Sequence, residues 1–254
     1  MLSNIPHLTI KLRNDIRELR RSAVREERHQ YVAEGVNLAR ELLKSGIRPS
    51  SVVVRDDAQQ DVLEMVERFA AAGVNVSVCS AKNMDLMTDA ATPQAIVCVV
   101  PFHAERPLQD RILVLDAVSD PGNVGTMVRT AAWFGFTDVV LGMGCADVYH
   151  PKTMRSTAGA AMRINVIRHR KLVEWIDSLD ARPRFAAVPR SGSSPQVLND
   201  ADSFALVIGS ESHGISTELV EKCTMSVTIP GTKDVESLNA AAAAAILCYE
   251  GRRR

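Results

Sequence analysis

Aromatic residues make up only 4% of this 254-residue chain, and neither charge dominates: 30 Lys and Arg stand against 30 Asp and Glu. That balance excludes a protein held on nucleic acid or on a membrane surface by bulk charge, and leaves a local basic face as the only electrostatic route to such partners. No window approaches the roughly 18 consecutive apolar residues of a membrane span, and Met1 to Arg13 lacks the apolar core of a secretory signal. The five cysteines, Cys79, Cys98, Cys145, Cys223 and Cys248, are odd in number and form no CxxC pair. They read as reduced, mostly buried thiols of a cytoplasmic protein, not as a disulfide frame or a zinc site. The six histidines show neither HxxxH nor HExxH spacing, so no metal is expected.

The common cofactor and nucleophile signatures are missing too. Gly122-Asn123-Val124-Gly125 is not GxGxxG, and no GxxxxGK[ST] phosphate loop occurs. Gly209-Ser210-Glu211-Ser212-His213-Gly214 gathers Ser, Glu and His, but it places two residues between Gly209 and Ser212 where a nucleophile elbow allows one. A serine hydrolase is therefore rejected.

What is present is 46% hydrophobic residues in short, alternating α/β patterns. Leu12, Ile16, Leu19 and Ala23 recur at helical spacing over about Thr9 to Arg28. The rest of that helix is basic, and Arg21, Arg25 and Arg28 are its candidate phosphate contacts, with a solvated face as the ordinary alternative. A strand at Tyr31–Glu34 ends at Gly35. Further helices are expected at Val36–Lys44 and Asp57–Ala72, and further strands at Ser51–Val54, Val74–Cys79 and Ile96–Val100. Residues 1–100 thus form one small α/β domain. The polar, proline-bearing stretch 101–110 reads as a linker, and 111–254 as a second α/β domain.

In that second domain three apolar strands each deliver a polar loop. Ile112–Leu115 leads through Pro121-Gly122 to Asn123 and Arg129, Ala205–Ile208 leads to Gly209 and Glu211, and Met225–Ile229 leads through Pro230 to Ser237, Leu238 and Asn239. In an α/β sheet such loops converge on one crevice. Six alanines, Ala240 to Ala245, follow at once and form a helix that Ser237 or Asn239 caps. Each residue also has an ordinary use, Asn123 in a turn, Glu211 as a loop carboxylate and Ser237 as a cap.

Taken together, Asn123-x-Gly125-x-x-x-Arg129, Ile208-Gly209-x-Glu211-x-x-Gly214 and Ile229-Pro230 followed by Ser237-Leu238-Asn239 resemble the three motifs of the SpoU (TrmH-like) branch of the SPOUT RNA methyltransferases, in order and in spacing. The first hundred residues are similar to that family's substrate-binding domain, a small ribosomal-protein-like α/β fold. The resemblance implies a C-terminal parallel sheet closed by a deep trefoil knot, a homodimer, and transfer of a methyl group from S-adenosyl-L-methionine to a ribose 2′-hydroxyl of RNA. Ribosomal RNA is favoured over transfer RNA, and a catalytically silent RNA-binding protein of the same fold is the competing class. The resemblance also assigns cofactor contacts to Ile208, Gly209, Ile229, Pro230, Leu238 and Asn239. It gives catalytic roles to Asn123, Arg129, Glu211, Ser237 and Asn239, with Ser237 and Asn239 holding Arg129. Arg155 and Ser156, in Arg155-Ser156-x-x-Gly159-Ala160, look like a family element near the RNA target.

Overall fold

The computed structural model describes residues 5–88, 90, 92, 94–179, 181–232, 234 and 236–252. It breaks the basic N-terminal stretch into two helices, α1 (Ile10–Glu18) and α2 (Ser22–Arg28), where one was expected. Thr9 caps α1, its hydroxyl accepting from the Leu12 N–H at 3.2 Å. At the other end, the carbonyls of Leu19 and Arg20 are turned toward Arg25, whose Nη1 donates to both at 2.8 and 2.7 Å. Arg25 is 1% exposed, so it is an internal clamp on the end of α1 and not the phosphate contact expected from the sequence. Removing it strands two carbonyls at a buried break. We expect Arg25→Ala to cost about 2–4 kcal/mol, read as a lowered midpoint in urea. Under conditions where the variant stays folded, its RNA affinity should be unchanged. Arg21 and Arg28 are exposed, paired with Glu18 at 3.0 Å and Asp15 at 3.2 Å.

The chain then runs β1 (Gln30–Glu34), α3 (Val36–Ser45), β2 (Ser51–Arg55), α4 (Gln60–Ala71), β3 (Asn75–Cys79), α5 (Ala81–Met87) and β4 (Ile96–Pro101). The strands form one sheet in the order β1-β4-β2-β3, antiparallel except for β2 with β3. Its core joins Val32, Val53, Val97 and Val99 to Ile16 and Leu19 of the N-terminal helices and to Met84 and Met87. Those two methionines sit on or at the end of α5, a helix for which the sequence offered no periodic run.

After this come β5 (Arg111–Asp116), α6 (Pro121–Trp133), β6 (Asp138–Gly142), α7 (Pro151–Thr157), β7 (Asn165–Arg170), α8 (Leu172–Trp175), β8 (Arg184–Ala187), β9 (Phe204–Gly209), α9 (Thr217–Glu221), β10 (Met225–Val227) and α10 (Ala240–Glu250). Six of these elements make a second sheet, β10-β8-β9-β5-β6-β7, with every neighbouring pair parallel. Strands β5, β6 and β9 are buried along almost their whole length, which is why they read as unbroken apolar runs. A parallel sheet places all its strand ends on one edge, so the loops after β5, β8, β9 and β10 open together.

By contact the chain divides into Met1–Ala104 with Tyr149–Met162, and Glu105–Val148 with Arg163–Arg254. The stretch 105–110, expected as linker, is tied into the second unit. Asp138, fully buried, accepts from the Gln109 N–H at 2.9 Å and from Asn165 at 2.6 Å, while Asn165 exchanges hydrogen bonds with the Arg106 backbone.

The segment 149–162, expected inside the second domain, belongs by contact to the first. Tyr149 stacks on Tyr31 and Phe102 with ring centroids 4.5 and 4.2 Å apart. On α7, Arg155 meets the Glu34 carboxylate of β1 at 3.0 Å. The Ser156 hydroxyl turns back to the Lys152 carbonyl at 3.1 Å. Arg155 and Ser156 are therefore built into the smaller sheet's unit and lie outside the unit that holds the three loop motifs.

Candidate active site

The sheet edge carries a cavity of about 700 Å³, lined from the ends of β8, β9 and β10 and from the start of α10. Ile208, Gly209, Ile229, Pro230 and Leu238 all border it, as do Glu211 and Ser237. These seven predicted residues are brought together from two loops and a strand end. The loop expectation that ran through Lys233 and Val235 falls partly on residues outside those described.

Gly209 serves a purpose the sequence reading missed. A glycine at a sheet edge commonly lets a ligand approach the backbone. In the structure the occupant is the chain itself: a Cβ on Gly209 would lie 2.1 Å from the Gly214 carbonyl carbon and 2.3 Å from the Ile215 nitrogen. The turn Ser210–Gly214 folds back over the strand end, closed by Gly214 N–H to Ser210 C=O at 2.9 Å and by His213 N–H to the Ser210 hydroxyl at 3.3 Å. Ser210 and His213 thus meet as turn residues, the serine hydroxyl accepting from the His213 backbone N–H.

Asn239 is one of the predicted cofactor contacts, yet it does not border the cavity. Its Oδ1 accepts from the Ala241 and Ala242 N–H groups at 2.9 and 3.3 Å and so caps α10. We expect Asn239→Ala to destabilise α10 by about 1 kcal/mol and Asn239→Ser to restore most of it. If the serine variant kept the stability but lost the activity, Asn239 would hold a second role beyond the cap.

Asp120 opens α6 as its cap, accepting from the Asn123 N–H at 2.9 Å, with Pro121 in the first turn. This aims the Asn123 side chain at Glu211, to which its amide nitrogen donates. Two residues 88 positions apart are thereby joined at the cavity rim. Asp116, at the end of β5, fixes the other side by accepting from the Ser216 N–H at 2.9 Å.

Arg129 is not part of this group. It lies six residues beyond Asn123 on α6, which turns it about 120° around the helix and moves it about 9 Å along the axis. It is exposed and does not border the cavity. Among the described residues no hydrogen bond or ion pair links it to Glu211, Ser237 or Asn239, so the expectation that Ser237 and Asn239 hold it is not met within one chain.

The charged groups among the described lining residues are Glu211, Glu236 and Arg190. None of the five cysteines borders the cavity. Burial raises the thiols of Cys145 and Cys223 to about 11, Cys79 likewise, and Cys98 to about 12, so none supplies a thiolate at neutral pH. Among the described residues no three His, Cys, Asp or Glu side chains gather as metal ligands, and no helix is long and apolar enough to cross a membrane.

The segment Ala187–Ser191 was missed as a lining element. Strand parallelism was the signal that could have found it. Once β8 is parallel to β9, its C-terminal loop must open beside Gly209. Ala243 and Leu247 were missed as well. They follow Ala240 at helical spacing and present one face of α10 to the cavity.

The chain resembles known proteins along most of its length. Residues 110–249 match the family model described as the SpoU rRNA Methylase family, and residues 11–98 match the MRM3-like substrate binding domain. The chain is 34% identical over 241 residues to the 23S rRNA (guanosine(2553)-2′-O)-methyltransferase of Bacillus subtilis, covering 94% of both proteins. It superimposes on a TrmH-family protein of Porphyromonas gingivalis with a TM-score of 0.83 at 32% identity, covering 96% of this chain and 98% of that one. An AdoMet-bound rRNA methyltransferase of Sinorhizobium meliloti superimposes equally well, with a TM-score of 0.83 over 97% of this chain and 96% of that one. At 24% identity that likeness is one of fold.

Proposed function

The chain belongs to the SpoU rRNA methylase family, and from that premise we propose that it is an S-adenosylmethionine-dependent methyltransferase acting on a ribose 2′-hydroxyl of ribosomal RNA. The observation that carries the reading is the joining of two sites at one sheet edge: the cavity framed by Ile208, Gly209, Ile229, Pro230 and Leu238, and the Asn123–Glu211 pair at its rim.

The cavity fits the cofactor. About 700 Å³ lies within the usual range for a small-ligand site. Ile208, Ile229 and Leu238 supply apolar surface for a flat base, while the Gly209 and Pro230 segments supply backbone groups to read its edge. Glu211 and Glu236 suit a bound cation. When bound, the cofactor supplies a methyl group activated on a sulfonium. The protein's share is placement, because in-line displacement depends on holding the attacking oxygen in line. Asn123 fixes the Glu211 carboxylate, which orients the ribose hydroxyl at the rim. The hydroxyl's proton leaves to water or to a neighbouring phosphate oxygen, and Arg129 stabilises the developing negative charge.

The working form is a homodimer. Trp133 is 83% exposed at the end of α6, and Ile246 and Tyr249 of the adjoining α10 are 39% and 49% exposed. Tyr249 meets Phe134 edge-on at 5.7 Å, so the two helices form one surface. An apolar face of this kind is the usual mark of an interface. The convergence of the 187–191, 208–211 and 227–232 segments on one cavity supports the trefoil knot. The smaller unit takes up RNA, with Arg21 and Arg28 available because exposed ion pairs hold them weakly, and with Arg155 and Ser156 shaping its surface. The enzyme works in the cytoplasm.

The test is methyl transfer from labelled S-adenosylmethionine to separated rRNA and tRNA, followed by nuclease digestion and mass analysis. A labelled 2′-O-methylnucleoside from rRNA is expected. Label confined to tRNA would move the substrate. An absence of label in both pools and in assembly intermediates would favour a silent RNA-binding protein.

A further inference from the structure

The turn after β8 has a construction that the methyl-transfer step leaves unused. Val188 and Thr228 are linked by a single hydroxyl: Thr228 Oγ1 donates to the Val188 carbonyl at 3.0 Å and accepts from the Gly192 N–H at 2.8 Å. One side chain therefore staples both ends of the turn Pro189–Gly192. Backbone bonds reinforce it, from Val188 N–H to Val227 C=O at 2.9 Å, Ser193 N–H to Ser226 C=O at 2.8 Å and Thr228 N–H to Ser193 C=O at 2.9 Å. The packing leaves no slack, for a Cβ on Gly192 would sit 2.7 Å from both the Val227 carbonyl carbon and the Thr228 hydroxyl. Ser191 is held at φ 63°, the left-handed region that a serine seldom occupies. Such strain persists where surrounding structure enforces it, and it concentrates at ligand clamps.

At the tip of this stapled turn stands Arg190, which borders the cavity and is the one cationic side chain among its described lining residues. The two lining carboxylates are Glu211 and Glu236. The cofactor proposed above carries a sulfonium, an ammonium and a carboxylate. Two carboxylates and one guanidinium complement two cations and one anion. A guanidinium presents a planar fork of donors that matches a carboxylate in two parallel hydrogen bonds. A lone cation placed beside a sulfonium, by contrast, would repel it. We infer that Arg190 receives the carboxylate of the cofactor's amino-acid tail, and that the Thr228 staple exists to hold it there. The inference rests on the methyltransferase reading and adds to it a residue that sets cofactor affinity.

Calorimetry on the full-length protein without RNA tests this with two ligands. S-adenosylhomocysteine has the amino-acid tail, and 5′-methylthioadenosine lacks it. Arg190→Ala is expected to weaken S-adenosylhomocysteine by about ten- to a hundredfold, as for a lost hydrogen bond between charged groups, and to leave 5′-methylthioadenosine within about twofold. Arg190→Lys should recover part of the loss for the tailed ligand alone. Equal losses for both ligands would overturn the contact, because Arg190 would then only shape the turn. Unchanged binding of both by Arg190→Ala would also overturn it, with the cavity reading intact. If the wild-type protein bound neither ligand, the methyltransferase reading itself would fall, and the inference with it.

Discussion

Replacing Gly209 by alanine is expected to abolish cofactor binding and to lower the melting temperature by about 10 °C. The added methyl would fall 2.1 to 2.3 Å from the carbonyl carbon and oxygen of Gly214 and the nitrogen of Ile215. These are backbone atoms of a turn closed by its own hydrogen bonds, so no side chain can swing aside to make room. Either β9 drops out of register with β5, to which Gly209 pairs through Asp116, or the turn lifts. A lifted turn carries Glu211 away from Asn123 and opens the cavity wall. Forcing an extra methyl into packing of this density costs about 3 kcal/mol or more, and for a chain of this size each kcal/mol shifts the midpoint by about 2–4 °C. Gly214→Ala is the control. That residue has φ 67° but nothing within 4 Å of an added Cβ, so it should cost only about 1 kcal/mol and keep ligand binding. Calorimetry with S-adenosylhomocysteine and a thermal melt separate the two. Wild-type affinity in Gly209→Ala would mean that the turn does not press on the strand in solution.

That contrast shows what the sequence could and could not reveal. That Gly209, Ile229 and Leu238 gather around one cavity was legible because parallel strands write themselves as apolar runs, and the residues that follow each run share one edge of the sheet. The same logic gave β5 and β9 to within one residue at each end. What Gly209 touches was not legible, because its neighbour is another backbone segment and backbone leaves no signature in composition. Arg25 was misread for a related reason. Seven basic residues in one amphipathic stretch look alike in sequence, and only the break between α1 and α2 shows that one of them is turned inward to two carbonyls. Residues 149–162 lie within the stretch that matches the SpoU family model, yet by contact they join the first unit, because their partners, Tyr31 and Glu34, lie more than a hundred positions away. Local periodicity places an element but not its neighbours. Arg190 escaped notice because a lone arginine in a Pro-Arg-Ser-Gly turn is unremarkable until the turn is seen to border the cavity.

Arg129→Ala is expected to lower the methylation rate by about a hundredfold or more while leaving S-adenosylhomocysteine affinity and the melting temperature unchanged. Within one chain Arg129 stands apart from the Asn123–Glu211 pair, so its effect must reach the site from elsewhere. Its position says how. Arg129 and Trp133 are four residues apart on α6 and share a helix face, and Trp133 is 83% exposed within the apolar surface that α6 and α10 present. If that surface closes on a second copy, Arg129 lies at the interface margin and projects toward the partner's rim. The consequence is a test that activity of the single variant cannot supply. Arg129→Ala and Glu211→Ala are each expected to be nearly inactive. Co-expressed in equal amounts, they form mixed dimers in which one site combines an intact Glu211 from one chain with an intact Arg129 from its partner, and the other site lacks both. Since half of the dimers are mixed and half of their sites are whole, the mixture should show about a quarter of wild-type activity. An arginine acting within its own chain would leave every site in the mixture damaged, and no activity would return. Recovery near a quarter would therefore establish the dimer and the contribution of Arg129 across it together, whereas a flat result with a dimeric protein would return Arg129 to its own chain and require α6 to move when RNA binds.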